Sequence, residues 1–112
     1  VGGRTPSEDL IPEVDVFDFA SNEWLTPGNL TDGTSDNAAF SDADHVYVVG
    51  GWTGEYTALK DVWRIASTSV DALDMEKVAP LQEARGDIKA VANSQGLAFV
   101  AGGFTNLNCR PL

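Results

Sequence analysis

Val46-Tyr47-Val48-Val49-Gly50-Gly51 is a short apolar run of β-type side chains closed by two glycines, and the pattern occurs three times. Ala98-Phe99-Val100-Ala101-Gly102-Gly103 repeats it, and Val1-Gly2-Gly3 is its tail. Gly2 to Gly50 is 48 residues and Gly50 to Gly102 is 52, the period of a repeated supersecondary unit. The chain reads as part of an array whose boundaries cut through repeats.

Working outward, Asn37 through Thr53 lie over Lys89 through Thr105 when the diglycines are superposed. Ala38 then meets Ala90, Tyr47 meets Phe99, Trp52 meets Phe104 and Thr53 meets Thr105. Val14 through Ser21 correspond to Lys60 through Ser67 with a slippage of one or two residues, which sets Phe17 over Trp63. Trp24, Pro27 and Leu30 correspond to Met75, Val78 and Leu81. The surplus residues between Ser67 and Met75 read as a loop insertion. Each unit thus holds four short strands bounded by turn residues, predicted in the middle unit near Asn37–Ser41, His45–Val49, Asp61–Ala66 and Glu76–Ala79. Gly96 opposite Asp44 in the first turn predicts a backbone position near positive φ.

This pattern resembles the kelch repeat, a four-stranded blade of a β-propeller. Val14-Asp15-Val16-Phe17-Asp18-Phe19-Ala20-Ser21-Asn22-Glu23-Trp24 fits its aromatic-acid pair and following Trp, and Val46 to Gly51 fits its diglycine strand. In the second unit Trp63-Arg64 replaces Tyr-Asp and Met75 replaces Trp, while Leu81 and Arg85 keep the family's apolar residue and Arg. Thr34 stands where that Arg falls in the first unit. The resemblance implies an all-β fold of antiparallel blades, with residues 1–30 ending one blade, 31–83 forming a complete one and 84–112 starting another. It also implies structural roles for Gly2, Gly3, Phe17, Asp18, Trp24, Gly50, Gly51, Trp63, Arg85, Gly102 and Gly103, the large aromatics Phe17, Trp24 and Trp63 filling the wedges between blades. Closed propellers hold roughly four to eight blades, so a segment of a longer propeller is expected, with further blades of the same propeller as neighbours.

Seventeen acids against seven bases give a formal charge of -10, a field that opposes nucleic acid phosphate and anionic lipid. No run approaches the eighteen or so apolar residues of a membrane span. No basic-then-apolar leader stands near Val1, which is uninformative in a chain that opens in mid-repeat. Composition leaves the compartment open and slightly favours a secreted or lumenal one. Cys109 has no partner for an internal disulfide, and nothing near it in sequence activates its thiol.

Strand order puts the loops after the second and fourth strands of a blade on one face. That face carries Trp52, Glu55, Tyr56, Asp32 and Phe104, and Trp and Tyr are frequent interface anchors. Trp52 packing over its own blade is the alternative. The turn acids need no ligand, and Asp42-Ala43-Asp44-His45 lacks the ordered oxygen series of a calcium loop and reads as a hairpin turn. Arg85-Gly86-Asp87 resembles an integrin-binding tripeptide, yet Arg85 already holds the structural Arg position. Asn29-Leu30-Thr31 matches the glycosylation acceptor pattern. His45 is the sole histidine and no nucleophile elbow is present, so no catalytic triad, metal or cofactor site is expected.

The expected function is a non-catalytic one, binding other protein subunits as an adaptor, scaffold or accessory subunit. An extracellular or lumenal carbohydrate-active enzyme is the alternative, one similar to the kelch-type copper radical oxidases that resemble galactose oxidase, with its catalytic residues outside this segment, and a purely structural role is a third.

Overall fold

The computed structural model describes residues 1–69 and 72–106. Cys109 lies outside the described residues. Eight antiparallel strands follow one another: β1 (Glu13–Asp18), β2 (Glu23–Asn29), β3 (Ala38–Ser41), β4 (Val46–Val49), β5 (Val62–Ser69), β6 (Ala72–Lys77), β7 (Lys89–Ala92) and β8 (Ala98–Ala101). They pair as a β1-β2 hairpin, a β3-β4-β5-β6 sheet and a β7-β8 hairpin. No helix occurs among the described residues.

Two apolar seams join the three sheets. Opposed residues of an antiparallel pair share a face, so the Val48–Trp63 and Val46–Ile65 pairs of the middle sheet look one way and the Val49–Val62 pair looks the other. On the first side Val48 and Ile65 pack with Val14 and Leu30 of the first hairpin segment, supported by Trp63, Leu73 and Met75. On the second side Val49, Val62 and Ala38 pack with Ile88, joined by Ala90 and Val100 of the third sheet. The middle sheet therefore uses both faces, as a stacked blade does, and burial of Val48 and Val49 is essentially complete at 1% and 0% exposure.

The register corrects three expectations. Ala38 pairs with Val49, but Lys89 pairs with Ala101 and Ala90 with Val100, so Ala39, not Ala38, is the counterpart of Ala90. The extra residue sits in the turn. Asp42 N–H donates to the His45 carbonyl at 3.0 Å, enclosing two residues, whereas Asn93 N–H donates to the Leu97 carbonyl at 2.9 Å, enclosing three. Gly96 occupies the added position at φ +83°, and Asp44 is not in the left-handed region.

The fourth strand of the middle sheet is Ala72–Lys77 rather than Glu76–Ala79, and residues assigned to a loop insertion instead lengthen the β5-β6 hairpin, with Ser67 paired to Leu73 and Ile65 to Met75. Leu73 and Met75 alternate with Asp74 and Glu76, one side packed and one solvated.

Phe17 pairs with Trp24 as Ile65 pairs with Met75, so Phe17 matches Ile65 and not Trp63. The backbone bonds agree: Leu30 N–H donates to the Pro12 carbonyl as Leu81 N–H does to that of Lys60. Ile65 and Met75 lie in the seam against the first hairpin. Phe17 and Trp24 face outward on the equivalent side, and Trp24 is 70% exposed, so it fills no wedge among the described residues.

Candidate functional site

The loops after the first two diglycines are built alike. Thr5 N–H donates to the Asp9 carbonyl and Thr53 N–H to that of Thr57, both at 2.9 Å, while Glu8 N–H and Tyr56 N–H return to the Thr5 and Thr53 carbonyls. The threonine hydroxyls close the turns, Thr5 Oγ1 accepting from Asp9 N–H at 3.2 Å and Thr53 Oγ1 from Thr57 N–H at 3.0 Å. Glu8 and Tyr56 share a left-handed conformation, at φ 67° and 60°. Such turns are held by their own hydrogen bonds, so the face they form is preorganised.

The residues after the first two diglycines reach into the next blade. Arg4 donates from Nε to Ser35 Oγ at 2.9 Å and from its terminal nitrogens to the carbonyls of Glu8 at 2.8 Å and Thr53 at 2.6 Å. Its guanidinium stacks on Tyr56, 3.9 Å from the ring centre. Trp52 instead lies over Gly86, where an added Cβ would overlap the ring, and its Nε1–H donates to Asp87 Oδ2 at 3.2 Å. Arg85-Gly86-Asp87 is thereby engaged in architecture. The Arg85 guanidinium donates to the Gly102 carbonyl at 3.2 Å, and the smaller Thr34 does the same to the Gly50 carbonyl at 2.9 Å.

These contacts redistribute the predicted contact residues. Trp52 is 3% exposed and is corrected from a candidate anchor to a buried residue packed on the lead-in of the next blade. Tyr56 is half-buried under Arg4, Phe104 is half-buried beside Gly86, and Glu55 and Asp32 are exposed. A cleft of about 540 Å³ opens between the first two loops and is bordered by Glu8, Asp9, Asp32 and Glu55. It brings Asp32 and Glu55 together and leaves Phe104 apart. Arg4 escaped the sequence reading because it replaces an aromatic. Its signal is Thr5, which follows the first diglycine at the distance of Thr53 and Thr105 from theirs.

On the opposite face Asp42 organises the β3-β4 turn. Its Oδ1 accepts from the N–H groups of Asp44 at 2.8 Å and His45 at 2.7 Å, and its Oδ2 accepts from the Tyr47 hydroxyl at 2.9 Å. The Asp44 N–H first, then the Tyr47 hydroxyl, hold its carboxyl down at about 2, and that carboxylate in turn raises Tyr47. The His45 ring contacts the same carboxylate at 3.2 Å, so this tetrapeptide is a hairpin turn. Arg64 and Glu76 form an ion pair beside it. Among the described residues no three His, Cys, Asp or Glu side chains converge to hold a metal.

Residues 33–65 match the family described as "Kelch motif". The matched residues, Gly33 to Ile65, lie within the middle blade. A solved structure titled "Structure of YjhT" superposes with a TM-score of 0.69 at 20% identity, over 84% of this chain and 27% of its own. The chain thus spans about a quarter of that protein's length and shares its fold. No curated protein matches the sequence. The kelch-type blades, stacked and antiparallel, are those of a partial β-propeller.

Proposed function

We propose that this kelch segment is non-catalytic and binds another protein subunit through the face of its diglycine loops, acting as an adaptor, scaffold or accessory subunit. The observation that carries this reading is the preorganised pair of loops around a cleft bordered by Glu8, Asp9, Asp32 and Glu55, with the Arg4 guanidinium committed to the Glu8 and Thr53 carbonyls of those loops. Rigid loops bind with little ordering cost, and like charges at a rim select an oppositely charged partner. The partner therefore presents lysines or arginines. Neither nucleic acid nor a membrane surface suits that charge.

The test is co-elution of the complete protein with its native partners in size-exclusion chromatography and mass spectrometry, wild type against a double Asp32→Lys, Glu55→Lys variant. Loss of a stoichiometric subunit, with the far-UV spectrum unchanged, supports the reading. Retention of every partner, or a lone monomer that carries copper and makes peroxide, overturns it.

A further inference from the structure

Asn29 ends β2 and Asn29-Leu30-Thr31 leads out of the first blade. Asn29 and Thr31 are exposed, while Leu30 between them is 2% exposed and donates its N–H to the Pro12 carbonyl. Leu30 leaves the strand and opens a turn, its carbonyl accepting the Gly33 N–H at 3.3 Å. Its burial anchors the segment, and Asn29 and Thr31 on either side of it stand exposed to solvent.

That exposure differs in origin from that of Trp24. By the register, Trp24 corresponds to Met75, and Asn29 and Thr31 correspond to Pro80 and Gln82. Met75 packs against the preceding hairpin, yet Pro80 and Gln82 remain exposed with that same hairpin in place. A blade packed on the Phe17–Trp24 side would cover the aromatics and leave Asn29 and Thr31 open. The position is a rim position in either setting.

We propose that Asn29 is an N-glycosylation site, occupied in the native protein. Asn29 Nδ2 attacks the anomeric carbon of a lipid-pyrophosphate-linked oligosaccharide. A carbon–nitrogen bond forms, the carbon–oxygen bond to the pyrophosphate breaks, the amide proton passes to a base of the transferase, and the lipid pyrophosphate leaves with the electron pair. The Asn-x-Thr spacing is the acceptor pattern of that transfer. The glycan would project from β2, an edge strand whose outer backbone groups pair with no strand among the described residues. Such edges need cover against pairing with other chains. Pro27 within β2 already limits that pairing. Occupancy places the protein in the secretory pathway.

The experiment is peptide mapping of the complete protein purified from its native source, before and after enzymatic amidase release of N-glycans. The expected result is a glycopeptide containing Asn29 that becomes an aspartate peptide on release. In secretory expression, Thr31→Ala abolishes the added mass and Thr31→Ser retains it. Finding the Asn29 peptide only in unmodified form in the native protein overturns the proposal, as does added mass that survives both Thr31→Ala and Asn29→Gln. Partner co-elution is read separately, so failure here leaves the loop-face reading standing or falling on its own data.

Discussion

Arg4 and Trp52 stand at the same place in successive repeats, one a guanidinium and the other an indole. Both cross to the lead-in of the next blade, where Ser35 meets Arg4 and Gly86 meets Trp52. Ser35 and Gly86 are themselves counterparts, bridged to Trp52 and Phe104 in the same way. A hydroxyl serves the side chain that needs an acceptor, and a missing Cβ serves the one that needs room. The repeat therefore keeps the geometry of the latch while its chemistry is chosen in matched pairs.

The indole latch is the one to break first. Trp52→Ala empties a site that is 3% exposed, and large-to-small changes of this kind cost about 3–5 kcal/mol. Urea unfolding of the complete protein reads this as a large drop in midpoint. A loss below about 1 kcal/mol would mean that the ring contributes no packing, contrary to its burial. Gly86→Ala attacks the same pair from the other side, since the new Cβ would overlap the ring. The expected loss is about 1–3 kcal/mol, typical of overpacking. Combining the two changes should cost less than their sum, because the alanine at 86 clashes only while the indole is present.

The guanidinium latch is weaker, being partly solvated. Arg4→Ala removes the bonds to the Ser35 hydroxyl and to the Glu8 and Thr53 carbonyls, together with the stack on Tyr56. A loss of about 1–2 kcal/mol is expected on the scale of hydrogen bonds to charged groups. Arg4→Lys should recover little of it, because the contacts use the planar fork and not the charge alone. Near-complete rescue by lysine would reassign the effect to charge.

What the sequence disclosed follows from where side chains meet packing on both faces. Val46 through Val49 are apolar throughout because Val48 and Val49 fill opposite seams, so β4 is legible without any partner. The offset between β3 and β7 was hidden, because small residues at 38, 39 and 90 fit either register and only the turn closures count the added residue. The stretch between Ser67 and Met75 looked like loop, yet Leu73 and Met75 are packed while Asp74 between them is solvated. The two-residue alternation of Leu73 and Met75 was the available signal. Among candidate contacts, Glu55 and Asp32 were legible as loop acids, but burial of Trp52 depends on Gly86, 34 positions later, and no local pattern announces that match.

The smallest effect lies at the opposite face, where the same pairing of repeats recurs in the turns. Asp42 and Asn93 close their turns in the same way. Asn93 Oδ1 accepts from the Gln95 and Leu97 N–H groups at 2.9 and 3.1 Å, as Asp42 Oδ1 does from those of Asp44 and His45. Only Asp42 carries charge and binds the Tyr47 hydroxyl. Its carboxyl is held at about 2 against an ordinary 3.8, so its ionised form contributes stability that is present above 3.8 and is lost as pH falls through about 2. Asp42→Asn keeps the backbone acceptor, as Asn93 demonstrates, and removes the titration. Unfolding midpoints of wild type and variant should converge as acid is added across that window, the wild type losing more. Parallel profiles would show that the turn draws its stability from the acceptor geometry that Asp42 shares with Asn93, with nothing added by the charge.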